Sequence, residues 1–200
     1  MGSNLDSLSD VQKHTYMVGM ISQQWALIEG SLDFSAFVVF HSFGGKSTAS
    51  ELPRALDRKV KWLRKSIATS PQTASFSEHS TDLLNAVSEA KQFRHDCVHG
   101  ITLRDQGGKF PLPISILDRH PETFSERSRT ISEDDMVAAL RETHFLNIGT
   151  YGLLLRLLHQ RSGDAPCQLH NELPLLLDQP PPSTLREKRI ARAALALLNP

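Results

Sequence analysis

The feature that most constrains the fold of this chain is a run of apolar residues near its start, which recur at intervals of three and four positions. These intervals place the residues on one face of an α-helix, because the helix repeats every 3.6 residues. The preceding residues, Ser9-Asp10-Val11-Gln12, form the capping box typical of a helix start. We expect a long first helix that ends near Gly44-Gly45. Its buried stripe is predicted to be Met17, Ile21, Trp25, Ile28, Leu32, Ala36 and Val39.

Two further helices are predicted from the same kind of pattern. The second starts around Pro53, since proline suits a first helical turn, and the third starts around Phe76 after a loop that opens at Pro71. The apolar stripe of the third helix continues by four residues onto Arg94. A cation on a buried stripe is costly unless it is paired or faces a cleft. The outer face of the second helix is predicted to be cationic, with Arg54, Arg58, Lys59, Lys61, Arg64 and Lys65.

The segment from Ile101 to Leu117 alternates apolar and polar residues around the turn signal Gln106-Gly107-Gly108. This pattern predicts a short hairpin-like insertion, whose second arm is limited by Pro111 and Pro113 to an edge strand or an extended loop. A fourth helix is expected after Thr130 or Ser132, because acidic residues there favour the positive end of the helix dipole. It is predicted to run to Gly163 with the stripe Leu140, His144, Ile148, Tyr151, Leu155 and Leu158.

Proline is dense between Ala165 and Ser183, which indicates a linker or an extended arm. A last short helix is predicted after the capping box Thr184-Leu185-Arg186-Glu187, and four basic residues against one acidic residue give residues 183–200 a net charge of +3. We therefore predict an all-α protein: a four-helix bundle (residues 1–164) with a hairpin-like insertion, and a C-terminal Pro-rich arm ending in a short helix (residues 165–200). The arm is expected to serve association rather than the core.

Composition limits the class of protein and its location. Lys+Arg and Asp+Glu are balanced at 22 each, so bulk charge does not drive the chain onto nucleic acid or membrane. Cys97 and Cys167 imply no disulfide framework. The start of the sequence does not resemble a signal peptide, and the longest apolar run, Leu153-Leu154-Leu155, is far too short to cross a bilayer. The prediction is a cytoplasmic protein without a membrane partner.

The residues with the clearest chemistry are Arg94-His95-Asp96-Cys97-Val98-His99, followed by Gly100. Arginine presents a rigid fork of donors that suits a phosphate. Histidine exchanges protons near neutral pH. Together they are suited to bind a phosphodiester and move a proton beside it without a metal ion.

This motif resembles that of the HEPN superfamily (higher eukaryotes and prokaryotes nucleotide-binding domains). Arg94 and His99 match the Arg-x4–6-His motif of that family, and His95 matches the polar position after the arginine. Trp25-Ala26-Leu27-Ile28-Glu29, Leu63-Arg64-Lys65 and Val98-His99-Gly100 also look like prokaryotic members, and the resemblance covers about Val11 to Gln160.

The resemblance implies a metal-independent endoribonuclease that works as a homodimer, with two motifs in one cleft. His99 is then the base toward a ribose 2′-hydroxyl, Arg94 holds the phosphate, and His95 orients groups or holds phosphate when protonated. RNA is the implied partner, and the expected product is a 2′,3′-cyclic phosphate. The alternative is a catalytically silent binding module in a defence or toxin–antitoxin complex, with a protein partner docked on the C-terminal arm.

Two other interpretations of the motif remain open. In the first, Arg94 pairs with Glu29 or Asp96 and His99 only caps a helix end. In the second, His95-Asp96-x-x-His99 holds a zinc ion, although a third protein ligand is needed and Gly100 is expected to end the helix before both histidines share a face. Gly44-Gly45-Lys46-Ser47-Thr48 lacks the first glycine of a P-loop. We therefore predict neither a cofactor nor a metal.

Overall fold

In the computed structural model, the described residues are 7–99, 101–102, 110–119, 124–163, 182 and 184–198. Helices dominate this part of the chain, which confirms the predicted mostly helical class. Short 3₁₀ helices at Gly45–Ser47 and Pro71–Phe76 lie on either side of the second helix. The elements in order are α1 (Asp10–Ser42), α2 (Leu56–Thr69), α3 (Ser77–His99), β1 (Ile101–Thr102), β2 (Leu112–Arg119), β3 (Phe124–Ile131), α4 (Glu133–Ser162) and α5 (Leu185–Leu198).

Side chains cap the starts of α1 and α4. The Ser9 amide donates to Gln12 Oε1 at 2.9 Å, so the predicted box before α1 is formed. Before α4, the Ser132 amide donates to Asp135 Oδ2 at 2.9 Å and the Asp135 amide donates to Ser132 Oγ at 3.0 Å. These bonds satisfy backbone groups that have no partner inside the helix. The Ser132 amide and hydroxyl both donate to the Asp135 carboxylate, and these two bonds hold the pKa of that carboxyl below its usual value.

The predicted stripe of α1 is confirmed, because all seven of its residues are buried. The predicted stripe of α4 is wrong, since Tyr151 and Leu158 are exposed. The buried face of α4 is rotated from the predicted one. It includes two threonines, so the apolar periodicity of this face is weak in the sequence. It consists of Met136, Ala139, Thr143, Leu146, Thr150, Leu153 and Leu157.

The chain divides into two compact units, residues 1–25 with 90–143, and residues 26–89 with 144–200. The first unit contains an antiparallel sheet in the order β1-β2-β3, with Leu112 opposite Ile131 and Ile114 opposite Arg129. The prediction of an edge strand for the arm that contains Pro113 is wrong, because β2 is the central strand. The described residues of β1, Ile101 and Thr102, pair with Ser115 and Ile114 of β2. Pro113 is the next residue of β2 and is not among these pairs. The turn signal at residues 106–108 lies outside the described residues.

The core of the first unit is a mixed cluster from helices and sheet. Met17 and Ile21 of α1, Cys97 of α3 and Met136 of α4 pack with Ile116 and Ile131 of the sheet. The strand β3 was not predicted, because only its last residue, Ile131, is an apolar residue in this cluster. Its neighbours Ser125, Arg127 and Arg129 give no apolar alternation in the sequence.

In the second unit, two of the six cations predicted on the outer face of α2 are used inside the protein. Lys59 is buried and forms an ion pair with Asp33, and Arg64 donates a hydrogen bond to Asn85. The prediction is therefore wrong for these two residues. The other four predicted cations, Arg54, Arg58, Lys61 and Lys65, are exposed.

The C-terminal helix α5 is part of the core of the second unit. Ile190, Ala194 and Leu197 are each 1% exposed, and a Cβ on Gly149 of α4 would lie 3.3 Å from Ala194 Cβ. The expectation that this helix lies outside the core is therefore wrong. The proline-rich residues 165–181 lie outside the described residues.

Truncation of Ile190 should destabilise the protein although it lies in the predicted arm. Ile190→Ala removes a fully buried side chain, so the free energy of unfolding should fall by roughly 2–5 kcal/mol. Leu195→Ala is the matched control on the same helix, where the side chain is 47% exposed. Urea unfolding followed by circular dichroism measures both. Equal, small losses would show that α5 does not support the fold.

Candidate functional site

The motif from Arg94 to His99 lies within one continuous helix, since α3 ends at His99. The expected helix end directly after His99 is confirmed, but the expectation that the two histidines do not share a face is wrong, because positions 95 and 99 are one helical turn apart. Positions 94 and 99 are five residues apart, which separates them by about 140° around the helix axis. The side chain of His99 lies outside the described part of the structure. Helical geometry alone therefore does not bring the two ends of the motif together in one chain.

Arg94 lies partly buried at the position predicted from the stripe of α3. Its Nε atom is buried and has no hydrogen-bond partner among the described residues. A buried donor without a partner costs about 1–3 kcal/mol, and more when the group is charged. Such a donor is a suitable contact for an anion. His95 is also partly buried, and it already takes part in an interaction within the chain.

Asp96 is the fully buried member of the motif, with 0% of its surface exposed. Its Oδ1 accepts a hydrogen bond from Gln92 Nε2 at 2.8 Å, and its Oδ2 accepts one from Arg129 Nη1 at 3.1 Å. The predicted pairing of Arg94 with Asp96 is not found in the described part of the chain. Asp96 instead joins α3 to β3.

Arg129 is held from two sides. Besides its ion pair with Asp96, its guanidinium lies 4.8 Å from the centre of the Phe93 ring, within the range of a cation–π contact. Phe93 precedes the motif and Asp96 lies within it, and both belong to α3. Arg129 of the sheet therefore contacts this helix at two points. This role of Arg129 is not predictable from the sequence, because 33 residues separate it from Asp96.

Cys97 is a small buried residue of the core, 3% exposed. Its Sγ lies 3.8 Å from Met136 Sδ. Burial raises the pKa of the Cys97 thiol to about 12, and the neighbouring Asp96 and Asp135 add to the effect while Arg129 opposes it. The thiol therefore stays protonated at neutral pH and is not a nucleophile.

A second buried imidazole, not singled out from the sequence, lies in the same compact unit as the motif. His14 of α1 is buried, its Nε2 has no partner among the described residues, and its ring meets Phe110 edge-on at 6.5 Å. Burial lowers the pKa of His14. It lies three residues before Met17 and continues the buried stripe of α1, but a polar residue at the end of an apolar stripe gave no signal in the sequence.

The residues described here offer no ready metal centre. No group of three or more His, Cys, Asp or Glu side chains is arranged to hold a metal ion within the described ranges. A zinc site on His95 and His99 still needs a third protein ligand. Over the same ranges, no helix is both long and apolar enough to cross a bilayer.

Comparison with protein-family models, with curated proteins and with solved structures finds no match. The described residues define a predominantly helical protein with an Arg-x4-His segment at the end of its third helix.

Loss of Arg129 should destabilise the protein through Asp96. Arg129→Met leaves a buried carboxylate with one partner fewer, and we expect a loss of about 2 kcal/mol, below the value for a fully buried pair, because Arg129 is 40% exposed. Arg58→Met, at an exposed arginine of α2, is the control. The double variant with Asp96→Asn should lose less than the sum of the single variants. Strict additivity in urea unfolding would show that the two residues are not coupled.

The stability of the protein should fall as the pH drops below about 6.5, the ordinary pKa of histidine. Because burial lowers the pKa of His14 in the folded state, the unfolded chain takes up a proton there that the folded chain does not. His14→Gln should make the free energy of unfolding less dependent on pH between 7 and 5. His79→Gln on α3 is the control. An unchanged dependence in the His14 variant would contradict this assignment.

Proposed function

We propose that this protein is a metal-independent endoribonuclease of the HEPN type, built on a four-helix arrangement of α1 to α4. The observation that carries the proposal is the buried Nε of Arg94 near the end of α3, which has no hydrogen-bond partner among the described residues. A charged donor in that state is stabilised by an anion, and a phosphodiester is the anion that the neighbouring imidazoles are able to process. No metal or cofactor is needed for this chemistry.

In the proposed reaction, His99 accepts the proton of a ribose 2′-hydroxyl, and the 2′-oxygen bonds to the adjacent phosphorus. Arg94 binds the non-bridging oxygens and stabilises the charge that develops on them. The bond from phosphorus to the 5′-oxygen breaks, and that oxygen takes a proton from an imidazolium in the cleft. His95 orients the reacting groups or, when protonated, holds phosphate. The products are a 2′,3′-cyclic phosphate and a free 5′-hydroxyl.

The proposed site is composite and belongs to a homodimer. Positions 94 and 99 diverge by about 140° on one straight helix, so an arginine and a histidine meet more readily when they come from two copies. A two-fold axis doubles any motif that lies near it. In this arrangement Arg94 of one copy works with His99 of the other.

Exposed cations on α2 support RNA as the ligand. Arg54, Arg58, Lys61 and Lys65 recur at intervals of four, three and four residues, so those on the helix share one face. No ion pair of theirs occurs in the part of the chain that the structure describes. Phosphate contacts of this kind supply most non-specific affinity for nucleic acid. We propose that this face follows the RNA backbone in a cytoplasmic, toxin-like or defence-type enzyme.

The second candidate is a silent binding module, favoured by the outer side of α5. A cavity of about 490 Å³ opens there with a basic rim formed by Lys188 and Arg192, beside the exposed Leu195. Because the inner face of α5 is buried in the chain, only this outer side is left for an antitoxin or another protein partner. This candidate predicts partner binding without cleavage of RNA.

The purified protein should cleave single-stranded RNA in the presence of EDTA. Substitution of the proposed base, His99→Ala, should lower kcat by roughly 10²–10⁴-fold, and Arg94→Ala by roughly 10²–10³-fold. His79→Ala on the same helix is the matched control and should retain full activity. End-group analysis of the fragments should find the cyclic phosphate, and RNA with a 2′-deoxy substitution at the cleaved position should resist.

The outcomes separate the candidates. Activity that EDTA abolishes and zinc restores would replace the metal-free reaction with a zinc site on His95 and His99. A folded protein that binds a partner but cleaves no RNA would support the silent module.

The composite site has its own test. A mixture of the inactive Arg94→Ala and His99→Ala chains should regain up to about a quarter of wild-type activity, because half of the dimers are mixed and each mixed dimer has one of its two sites intact. No recovery would place each site within one chain.

A further inference from the structure

A cavity of about 410 Å³ lies in the second unit, between the loop that follows α1 and the last turn of α2. The loop is Gly44-Gly45-Lys46-Ser47-Thr48, the segment that lacks the first glycine of a P-loop. The volume is within the range of sites for small molecules, roughly 300–1,000 Å³. This cavity is called the hydroxyl pocket below. Its walls include Phe43, Ser47, Thr48, Ser66, Thr69 and Pro71.

The loop wall of the hydroxyl pocket is held in one conformation. Gly44 has a φ of +77°, in the left-handed region that favours glycine. A Cβ on Gly45 would lie 2.6 Å from the Phe40 Cα atom and 2.7 Å from the Trp62 ring, so only glycine fits there. The Trp62 Nε1 atom donates a hydrogen bond to Thr48 Oγ1 at 3.0 Å, which joins the loop to α2. The shape of the pocket is therefore set by the chain itself.

Four of the five hydroxyl side chains around the hydroxyl pocket donate their only proton inside the chain. Ser47 Oγ and Thr48 Oγ1 donate to loop carbonyls at 2.7 and 2.8 Å, and Thr69 Oγ1 donates to a carbonyl of α2 at 2.9 Å. Because the Thr48 proton is used in this way, the 3.3 Å contact between Thr48 Oγ1 and Ser66 Oγ takes its proton from Ser66. A hydroxyl has one proton and two lone pairs, so the oxygens of Ser47, Ser66 and Thr69 are left as acceptors. A ligand must therefore bring donors of its own.

The charges around the hydroxyl pocket favour a neutral ligand. Within the described part of the chain, all nine residues that line the pocket are uncharged. The pocket lies at the C-terminal end of α2, where the helix dipole is negative and opposes an anion. Lys46 of the loop is not among the lining residues, and its Nζ atom lies over the Phe40 ring, 5.9 Å from the centroid. Among the lining residues, a phosphate would find no cation and a cation would find no carboxylate.

We propose that the hydroxyl pocket binds a neutral ligand that carries several hydroxyl groups on a ring of monosaccharide size. Such a ligand donates protons to the acceptor oxygens of the wall. Its own oxygens accept from the Ser70 hydroxyl and the Gln72 amide, which also line the pocket. Phe43 and Pro71 contact the apolar face of the ring. A free sugar and the ribose of a nucleoside share this chemistry.

Saturation-transfer NMR on the full chain tests the pocket, with D-ribose, D-glucose, adenosine and AMP as probes. Ligands of this size should bind with a Kd of roughly 1 mM or below. Equal binding of the sugars and adenosine would show that the sugar ring alone is recognised, whereas adenosine that binds about 10-fold more tightly than ribose would identify a nucleoside site. AMP should bind more weakly than adenosine, because its phosphate is opposed by the end of α2.

Thr69→Val removes one acceptor oxygen of the hydroxyl pocket and keeps the shape of the side chain. It should raise the Kd of the bound probe by roughly 3–10-fold, the effect of one hydrogen bond. Thr15→Val is the matched control, because both threonines are exposed and donate to the carbonyl four residues earlier at 2.9 Å. Ser47→Trp fills the pocket from the exposed loop and should abolish the transfer. A Tm close to that of the wild type shows that each variant is folded.

A folded wild type that shows no transfer to any of the four probes at roughly 10 mM, above the weakest affinity expected, would overturn the proposal. Binding that survives both Ser47→Trp and Thr69→Val would also overturn it, because the ligand would then lie elsewhere. AMP that binds more tightly than adenosine would contradict a neutral ligand. The inference goes beyond the proposed function, since the pocket shares no residue with the segment from Arg94 to His99. Binding is measured without RNA, so its failure and a failure of RNA cleavage are distinguishable.

Discussion

The buried carboxylate of Asp96 is the interaction on which the arrangement of the motif depends. A charge taken out of water costs several kcal/mol, so it is tolerated only where donors surround it. Gln92 supplies one donor from the same helix and Arg129 supplies another from β3. Any movement of the sheet away from α3 would leave this charge without its cation. The helix that carries Arg94 is thereby fixed to the sheet in one register.

The same pair explains why a mostly helical chain keeps a small sheet. The sheet contributes Ile116 and Ile131 to the core, and β3 places Arg129 against α3. A sheet of β1 and β2 alone would contribute Ile116 to the core. It would contain neither Ile131 nor Arg129, which both come from β3. The sheet is therefore a support for the last turns of α3 and not only a connection between α3 and α4.

The sequence predicted the features that local chemistry controls. The capping boxes at Ser9 and Thr184 and the stripe of α1 depend on residues three or four positions apart, and they are formed in the structure. Partners distant in the chain were not predictable. Lys59 has the spacing of a surface cation, but it is buried because it pairs with Asp33. The buried face of α4 was not predicted because it includes Thr143 and Thr150. Threonine is a polar residue, yet it is readily buried when its hydroxyl donates to a carbonyl of its own helix. For the candidate site, the position of Arg94 followed from the stripe, whereas the contact from Arg129 did not.

Cys97 shows what burial does to a reactive group inside a motif. With a pKa of about 12, only about one thiol in ten thousand is ionised at pH 8. Oxidants and alkylating agents act on the thiolate, so this cysteine is inert as long as the first unit is folded. Its modification would instead report the opening of α3 from the core. Modification of the cysteine next to Asp96 would thus report local unfolding of the first unit.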